Sequence, residues 1–416
     1  VTFAPSAAVT FDAYDPGFVE DPYPTYSVLR RESPVFRDDT WGLTFFTRHA
    51  DVSAILRDRR FGRDVRSAVS PEAIDPATYQ RIYPSRYPTW TRLVRGSFID
   101  LEPPAHTRIR RLVQNAFGKR ASESYRARLV ATADQVLDVA LERGSMEVIS
   151  DYATPIPLTM IADLLGVPAA DQPRLVSWSH AIVRVFDEAC TEAEGDAAER
   201  AIVDFAEYVR GLLADHRADP RDDLTSALLE AEADGDRLSE EELVATCILT
   251  LNAGHEATVQ AIGNAVLALA ADPEAFESLR RNPGVVRTAA AEMLRYDTPL
   301  QMFERWVLED LEWEGVELAR GSKVGLLLGS ANRDESVFEH ADRLVLDRGH
   351  NPHVSFGAGV HFCVGAPLAL VELEVALERL AKRVGSIEVA ADRLPRTPSL
   401  IFRGVDRLPA DLTPAG

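Results

Sequence analysis

The 416-residue sequence predicts a mainly helical protein with small β-sheets, of the α+β class. Three observations predict it. Apolar residues recur at three- and four-residue intervals over most of the chain, one helical run spans 239–271, and strand patterns are confined to 34–47, 305–330 and the C-terminal stretch. No repeat or flexible linker separates these parts, so 1–416 is expected to form a single domain. The 46% hydrophobic and 26% charged content excludes disordered and collagen-like chains.

Taken in chain order, PVFRDDTWGLTFFT at 34–47 is a hairpin pattern. Residues 63–100 are rich in turn formers and read as a long irregular loop, which in a compact protein is often functional. Helical periodicity follows over 156–168, 172–189 and 201–216. Ser239-Glu240-Glu241-Glu242 is a capping-box pattern, and the run it opens meets no proline until Asp272-Pro273. At 1.5 Å per residue that helix is ~48 Å long. Being apolar on most sides, it has to cross a protein interior. The segment 305–330 reads as three short strands turning at Glu314-Gly315 and Arg320-Gly321.

Lys+Arg total 45 against 65 Asp+Glu, a net −20 that excludes the basic footprint of a nucleic-acid binder. No apolar stretch approaches the ~18 residues of a membrane span, and the N-terminus lacks a charged start followed by an apolar core. The expected setting is a reducing cytoplasm. Cys190, Cys247 and Cys363 are too few and too scattered for a disulfide framework or a paired-cysteine metal site. Cys190 and Cys247 read as small buried hydrophobes.

Cys363 is different. It lies in Phe356-Gly357-Ala358-Gly359-Val360-His361-Phe362-Cys363-Val364-Gly365, followed by Ala366-Pro367 and an apolar helix. The glycines let backbone approach the sulfur, Pro367 suits a first helical turn, and the positive end of that helix favours a thiolate. Such a lone thiolate is either a nucleophile, with His361 as its base, or an axial ligand to a metal.

These residues resemble the haem-ligand loop of the cytochrome P450 family, Phe-x-x-Gly-x-His/Arg-x-Cys-x-Gly. Glu292-Met293-Leu294-Arg295 fits the family's Glu-x-x-Arg, about 70 residues earlier. Alone, that pair reads as an i,i+3 surface ion pair. The resemblance implies that it clamps the segment from Ala331 through Arg348. It extends over essentially the whole chain and implies the P450 fold, a triangular helical body around a buried haem b with 239–271 as its central helix. Cys363 is then the iron ligand, with Phe356, Gly357 and Gly365 shaping its loop. His106, Arg110, Arg305 and His361 match residues that neutralise the haem propionates.

Residues 106–120 carry five basic and no acidic side chains. The run is either a solvated face or a docking patch, with Arg108, Arg111 and Lys119, for an acidic electron donor. The resemblance implies a ferredoxin with its reductase, on the thiolate side of the haem. It also implies an oxygen site at Ala253-Gly254-His255-Glu256-Ala257-Thr258, where Gly254 weakens the helix so that a groove opens for dioxygen and water. Glu256 matches the family's acid, but Ala257 replaces the first Thr, whose hydroxyl helps deliver protons to dioxygen. Thr258 lies ~100° further round. Substrate hydroxyls or ordered water then take over, or the reaction depends less on that relay. His255 reads as a helix-packing residue, having no second ligand at i+3 or i+4.

The implied substrate pocket draws on 63–100, 172–200, Leu249, Asn252, Ala253, Leu300, Gln301, Met302, Phe303 and Ile401. Its apolar character suits a small to medium hydrophobic molecule with a few polar handles. The expected activity is a monooxygenase that hydroxylates or otherwise oxidises such a substrate with dioxygen. Alternatives are oxidative coupling or ring formation, peroxide-driven oxidation, a catalytically silent haem-binding module and, last, a Cys-His hydrolase.

Overall fold

Ser239 opens the long helix Glu240–Ala271 with a reciprocal cap: the Glu242 amide donates to its Oγ at 3.3 Å, and its own amide donates to the Glu242 carboxylate at 2.8 Å. The computed structural model describes residues 11–186, 190–233, 235–389, 394–396 and 398–416. They group into two units, each compact within itself: Val1–Ala68 with Arg126–Pro155 and Ala257–Gly416, and Val69–Tyr125 with Ile156–Glu256. The long helix contributes to both.

In the first unit a five-stranded sheet runs in the order Val35–Asp38, Leu43–Phe46, Lys323–Leu327, Met302–Val307 and Phe61–Gly62. Only the pairing of Leu43–Phe46 with Lys323–Leu327 is parallel. The 34–47 hairpin forms with Val35 opposite Phe46. The 305–330 region differs from its reading: it holds four strands, not three, because Leu311–Trp313 and Val316–Leu318 pair only with each other as a separate ribbon. Their turn has Glu314 and Gly315 both at positive φ, the geometry a tight hairpin requires. A second sheet joins Val384–Val389, Pro409–Pro414 and Ser145–Glu147.

Beneath the first sheet Phe46, Val52, Ile55, Val307, Val324, Leu326 and Val354 form a continuous core. The helix Ala366–Arg383 packs on Arg126–Arg143 and on Val286–Tyr296. Arg379 and Arg383 on it reach Asp134 at 2.8 and 3.2 Å.

In the second unit Gln172–Val183 packs along Glu192–Ala218, with Trp178 stacked on Phe205 at 4.9 Å. The latter helix begins nine residues before the predicted start, at a Thr191/Glu194 capping box the periodicity did not show. Residues 187–189, the end of the predicted 172–189 helix, lie outside the described residues, and its α-helical part stops at Val183. Within 63–100 the irregular loop is replaced by short helices, including Pro76–Ile82 and Pro88–Val94. The amides of Thr89 and Trp90 donate to Glu199 at 2.9 Å, so the cap of this short helix comes from a distant segment.

Two further expectations are corrected. The long helix runs unbroken through Gly254. A Cβ at Gly254 would lie 3.3 Å from Ile161 Cδ1, so the glycine serves close packing against Pro155–Leu165. Cys247 is buried, its thiol pushed by burial up to about 12, whereas Cys190 is only half-buried because it sits at the exposed start of Glu192–Ala218.

Candidate functional site

The cysteine loop lies in the first unit. Gly357 and Gly359 are both at positive φ. A Cβ on Gly359 would meet the Leu56 carbonyl oxygen at 2.4 Å, and one on Gly357 the Phe303 ring at 3.3 Å. Inside the turn the Cys363 amide donates to the Phe356 carbonyl at 2.9 Å. Ala366–Arg383 then starts with Gly365 as its cap residue and Pro367 in its first turn. Cys363 thus stands just before the positive end of an 18-residue helix, and a Cβ at Gly365 would lie 3.9 Å from its sulfur. Phe362 and Val360 present exposed apolar surface beside the thiol. His361 is half-buried in the same loop. Arg305 is buried in the first sheet, with Nη1 donating to the Glu304 carbonyl.

Glu292 and Arg295 are both 0% exposed, which displaces the surface ion-pair reading. Arg295 Nε and Nη2 donate to the two carboxylate oxygens of Glu292 at 2.7 Å. Its remaining N–H groups reach the carbonyls of Asn332, Ala341 and Arg343 at 2.8 to 3.0 Å. Glu292 also accepts from Arg348 Nε and the Val345 amide, both at 2.9 Å. One residue pair therefore fixes five points between 332 and 348, and Asn332 carries the linkage on: its carboxamide oxygen accepts from the Val354 amide, two residues before Phe356.

The second unit holds the acid. Glu256 is on the long helix, and its Oε1 lies 3.2 Å from Nε2 of His180, on Gln172–Val183, and 3.7 Å from Nδ1 of His255. Burial alone would raise its carboxyl, but the two imidazoles outweigh that and hold it at about 2; the hydrogen bond to Glu256 in turn raises His180. His180 was invisible to sequence reasoning because no spacing rule links positions on different helices. His255 is buried as expected of a packing residue, yet the missing second ligand at i+3 or i+4 is irrelevant here, because fold rather than helical spacing brings His180 to it. Along the helix Leu249, Asn252, Ala253, Glu256 and Ala257 form its less buried stripe, while Thr258 is buried on another face.

His106 and Arg110 share a face of Ala105–Val113; burial, then the Arg110 charge, pushes the His106 imidazole down to about 4. Arg108 is corrected as a docking residue, because Asp236 and Glu242 hold its guanidinium at 2.6 Å each. Arg111 and Lys119 remain exposed. Two pocket residues are corrected likewise. Gln301 and Met302 are 2% exposed, the former donating to the Thr298 carbonyl at 2.6 Å and the latter packed in the core with Phe45. Leu300, Phe303 and Ile401 stay partly buried, with Leu300 bridged to Phe402.

The family model of cytochrome P450 matches residues 75–384. The chain belongs to the cytochrome P450 family. It is 34% identical over 385 residues, 91% of this chain and 92% of the relative, to the polyketide biosynthesis cytochrome P450 PksS of Bacillus subtilis. A solved structure of PksS superposes with a TM-score of 0.88 at 33% identity, covering 97% of this chain and all of that one. The mycinamicin IV hydroxylase/epoxidase of Micromonospora griseorubida is 36% identical over 86% of this chain and 85% of its own. The vitamin D(3) 25-hydroxylase of Pseudonocardia autotrophica is 36% identical over 89% and 88%. This P450 is accordingly a monooxygenase whose cofactor is haem b held by a cysteine thiolate.

The residues present fit that cofactor. Of the three thiols, only Cys363 combines exposure, a constrained glycine turn and a helix N-terminus, and the apolar Phe362 and Val360 beside it suit a porphyrin face. Among the described residues no helix is long and apolar enough to cross a membrane.

Proposed function

We propose that this P450 hydroxylates or otherwise oxidises a small to medium, largely hydrophobic organic substrate, using dioxygen and electrons from a ferredoxin and its reductase in the cytoplasm. When bound, the haem supplies dioxygen activation, and thiolate ligation promotes O–O cleavage. Cys363 is the ligand. The observation that carries this reading is the glycine turn that fixes the Cys363 amide ahead of the helix Ala366–Arg383. Phe356, Gly357 and Gly365 shape the loop, Arg110 and Arg305 neutralise the propionates, which an apolar site cannot hold unpaired, and His106 and His361 hydrogen-bond them.

Glu256, kept ionised by its two imidazoles, assists protonation by ordering the water that passes protons. Ala257 brings no hydroxyl, so a substrate hydroxyl or ordered water completes the relay. Leu249 and Ala253 offer the substrate apolar contact, and the Asn252 carboxamide oxygen, buried without a hydrogen-bond partner, offers one polar handle. The relatives' names support a hydrophobic class, since they range from polyketide biosynthesis to a vitamin D(3) hydroxylase. Ala257 also favours a second reading, peroxide-driven or coupling chemistry that leans less on the relay.

The test begins with compounds that shift the purified holoenzyme from low to high spin. Those hits are turned over with ferredoxin, reductase and labelled dioxygen. One labelled oxygen per product is expected; peroxide-supported turnover without label favours the second reading. Cys363→Ser is expected to abolish the thiolate-type absorption, and an unaltered spectrum rejects Cys363 as ligand.

A further inference from the structure

Among the described residues one cluster of three groups, His180, His255 and Glu256, brings imidazole and carboxylate ligand atoms together, all within 4.8 Å of one another. It lies within the second unit and joins two helices, Gln172–Val183 and Glu240–Ala271. We propose that these three side chains form a binding site for a transition-metal dication of the zinc class.

A hydrogen-bonded His–Glu pair explains part of the cluster but leaves His255 unexplained. That imidazole is 2% exposed, and neither ring nitrogen has a hydrogen-bond partner. Nδ1 points toward Glu256 Oε1 at 3.7 Å, too long for a hydrogen bond. A buried imidazole is expected to be satisfied, and a metal ion uses the lone pair that no protein donor takes up. The same Glu256 oxygen faces His180 Nε2 at 3.2 Å, so one carboxylate oxygen is shared between two imidazoles. The rings stand 5.9 Å apart, centre to centre, with neither stacked flat on the other.

Distances and donor types select the ion. Zinc binds imidazole nitrogen and carboxylate oxygen at about 2.0–2.2 Å in a tetrahedron, which sets ligand atoms about 3.3 Å apart. The His180–Glu256 spacing already has that value, and the His255 contact exceeds it by a few tenths of an ångström. Rotation of the Glu256 carboxylate closes that gap, and the exposed His180 side chain can turn to bring its nitrogen, within 4.8 Å of that of His255, to the same ion while leaving an entry path from solvent. Two nitrogens and one oxygen favour zinc, nickel or copper over magnesium and calcium, which prefer six or more oxygens. Three protein ligands leave a fourth position for water.

Occupancy ties the two helices together and takes up the carboxylate that Glu256 needs for proton transfer; this consequence rests on the acid role proposed above. The ion is then an inhibitor acting on the proton path, not at the thiolate.

Calorimetric titration of Zn2+ into the full-length holoenzyme tests the site directly. One ion per chain is expected, weakened about 30-fold or more by His180→Ala and not displaced by about 1000-fold excess Mg2+. His180 is exposed, so its variant tests the ligand without disturbing the core; His255→Gln is a second arm, and zinc-edge X-ray absorption should register two imidazoles. Binding of undiminished strength in His180→Ala, or no stoichiometric binding, overturns the site. In turnover assays Zn2+ is expected to depress coupled oxidation at the concentrations that fill the wild-type site and to spare His180→Ala. Should the ion fill the site while turnover continues unchanged, the site stands and the acid role of Glu256 falls.

Discussion

Ala257 leaves a methyl where the family pattern carries a hydroxyl, one helical step from a carboxylate that two imidazoles keep ionised. Ala257→Thr is expected to lower hydrogen peroxide released per electron pair by about threefold, well below the ~100-fold or more of a fully positioned proton donor because water already carries part of the relay. Peroxide assays showing equal or greater leakage would mean that protons already travel another way. Glu372, on the helix behind Cys363, poses the opposite problem. It is buried, and burial raises its carboxyl from 4.5 to about 8. The unfolded chain ionises at the lower value while the folded chain keeps its proton, so stability falls as pH rises from about 4.5 through about 8. Glu372→Gln removes that loss. Its gain over wild type in urea unfolding is expected to be on the order of 3–5 kcal/mol at pH 8 and small at pH 5.

At the scale of elements, the clamp from Val286–Tyr296 replaces secondary structure for a segment that has little. Residues 332–354 are mostly turns, and where those turns do not pair their own backbone, three carbonyls and two amides are satisfied by Arg295, Glu292 and Asn332 instead of by a ladder. Arg295→Ala removes the fork that meets both oxygens of the buried Glu292, leaving Arg348 as its remaining charged partner, and strands three carbonyls; it should cost about 3–5 kcal/mol of stability together with loss of haem retention. Arg295→Lys should rescue little, because one ammonium cannot match the planar fork that meets Glu292 twice. Denaturant unfolding and haem content after gel filtration read both effects; a near-normal Lys variant would reduce the clamp to a point charge.

Across the whole molecule the dominant electrostatic fact is a net −20, which repels an acidic partner everywhere except at local reversals. Arg108 is paired to Asp236 and Glu242, and among the described side chains of the 106–120 run Arg111 and Lys119 are the exposed cations. The double reversal Arg111→Glu, Lys119→Glu is expected to slow first electron transfer from ferredoxin about tenfold at low salt. Near 1 M salt, where the screening length is about 3 Å, the difference should nearly vanish. Stopped-flow reduction that is indifferent to the reversal at low salt would place docking elsewhere.

The helical class, the hairpin at 34–47, the cap at Ser239 and the cysteine loop were legible because each rests on neighbours in the chain: periodicity, capping spacing, and glycines whose φ only that residue tolerates. What the sequence misread depends on distant partners. Pro88–Val94 is capped by Glu199, the extra strand in 302–327 exists because Leu311–Trp313 leaves the main sheet, and Gln301 and Met302 turn into the core. Arg108 looked like a free charge until folding supplied two carboxylates. The sequence by itself determined the chemistry, a thiolate at the head of a helix and an acid in the middle of another. Only the tertiary structure decided which charges stay available and which imidazole meets Glu256, because burial and ion pairing are properties of what folding brings alongside, and chain spacing does not encode them.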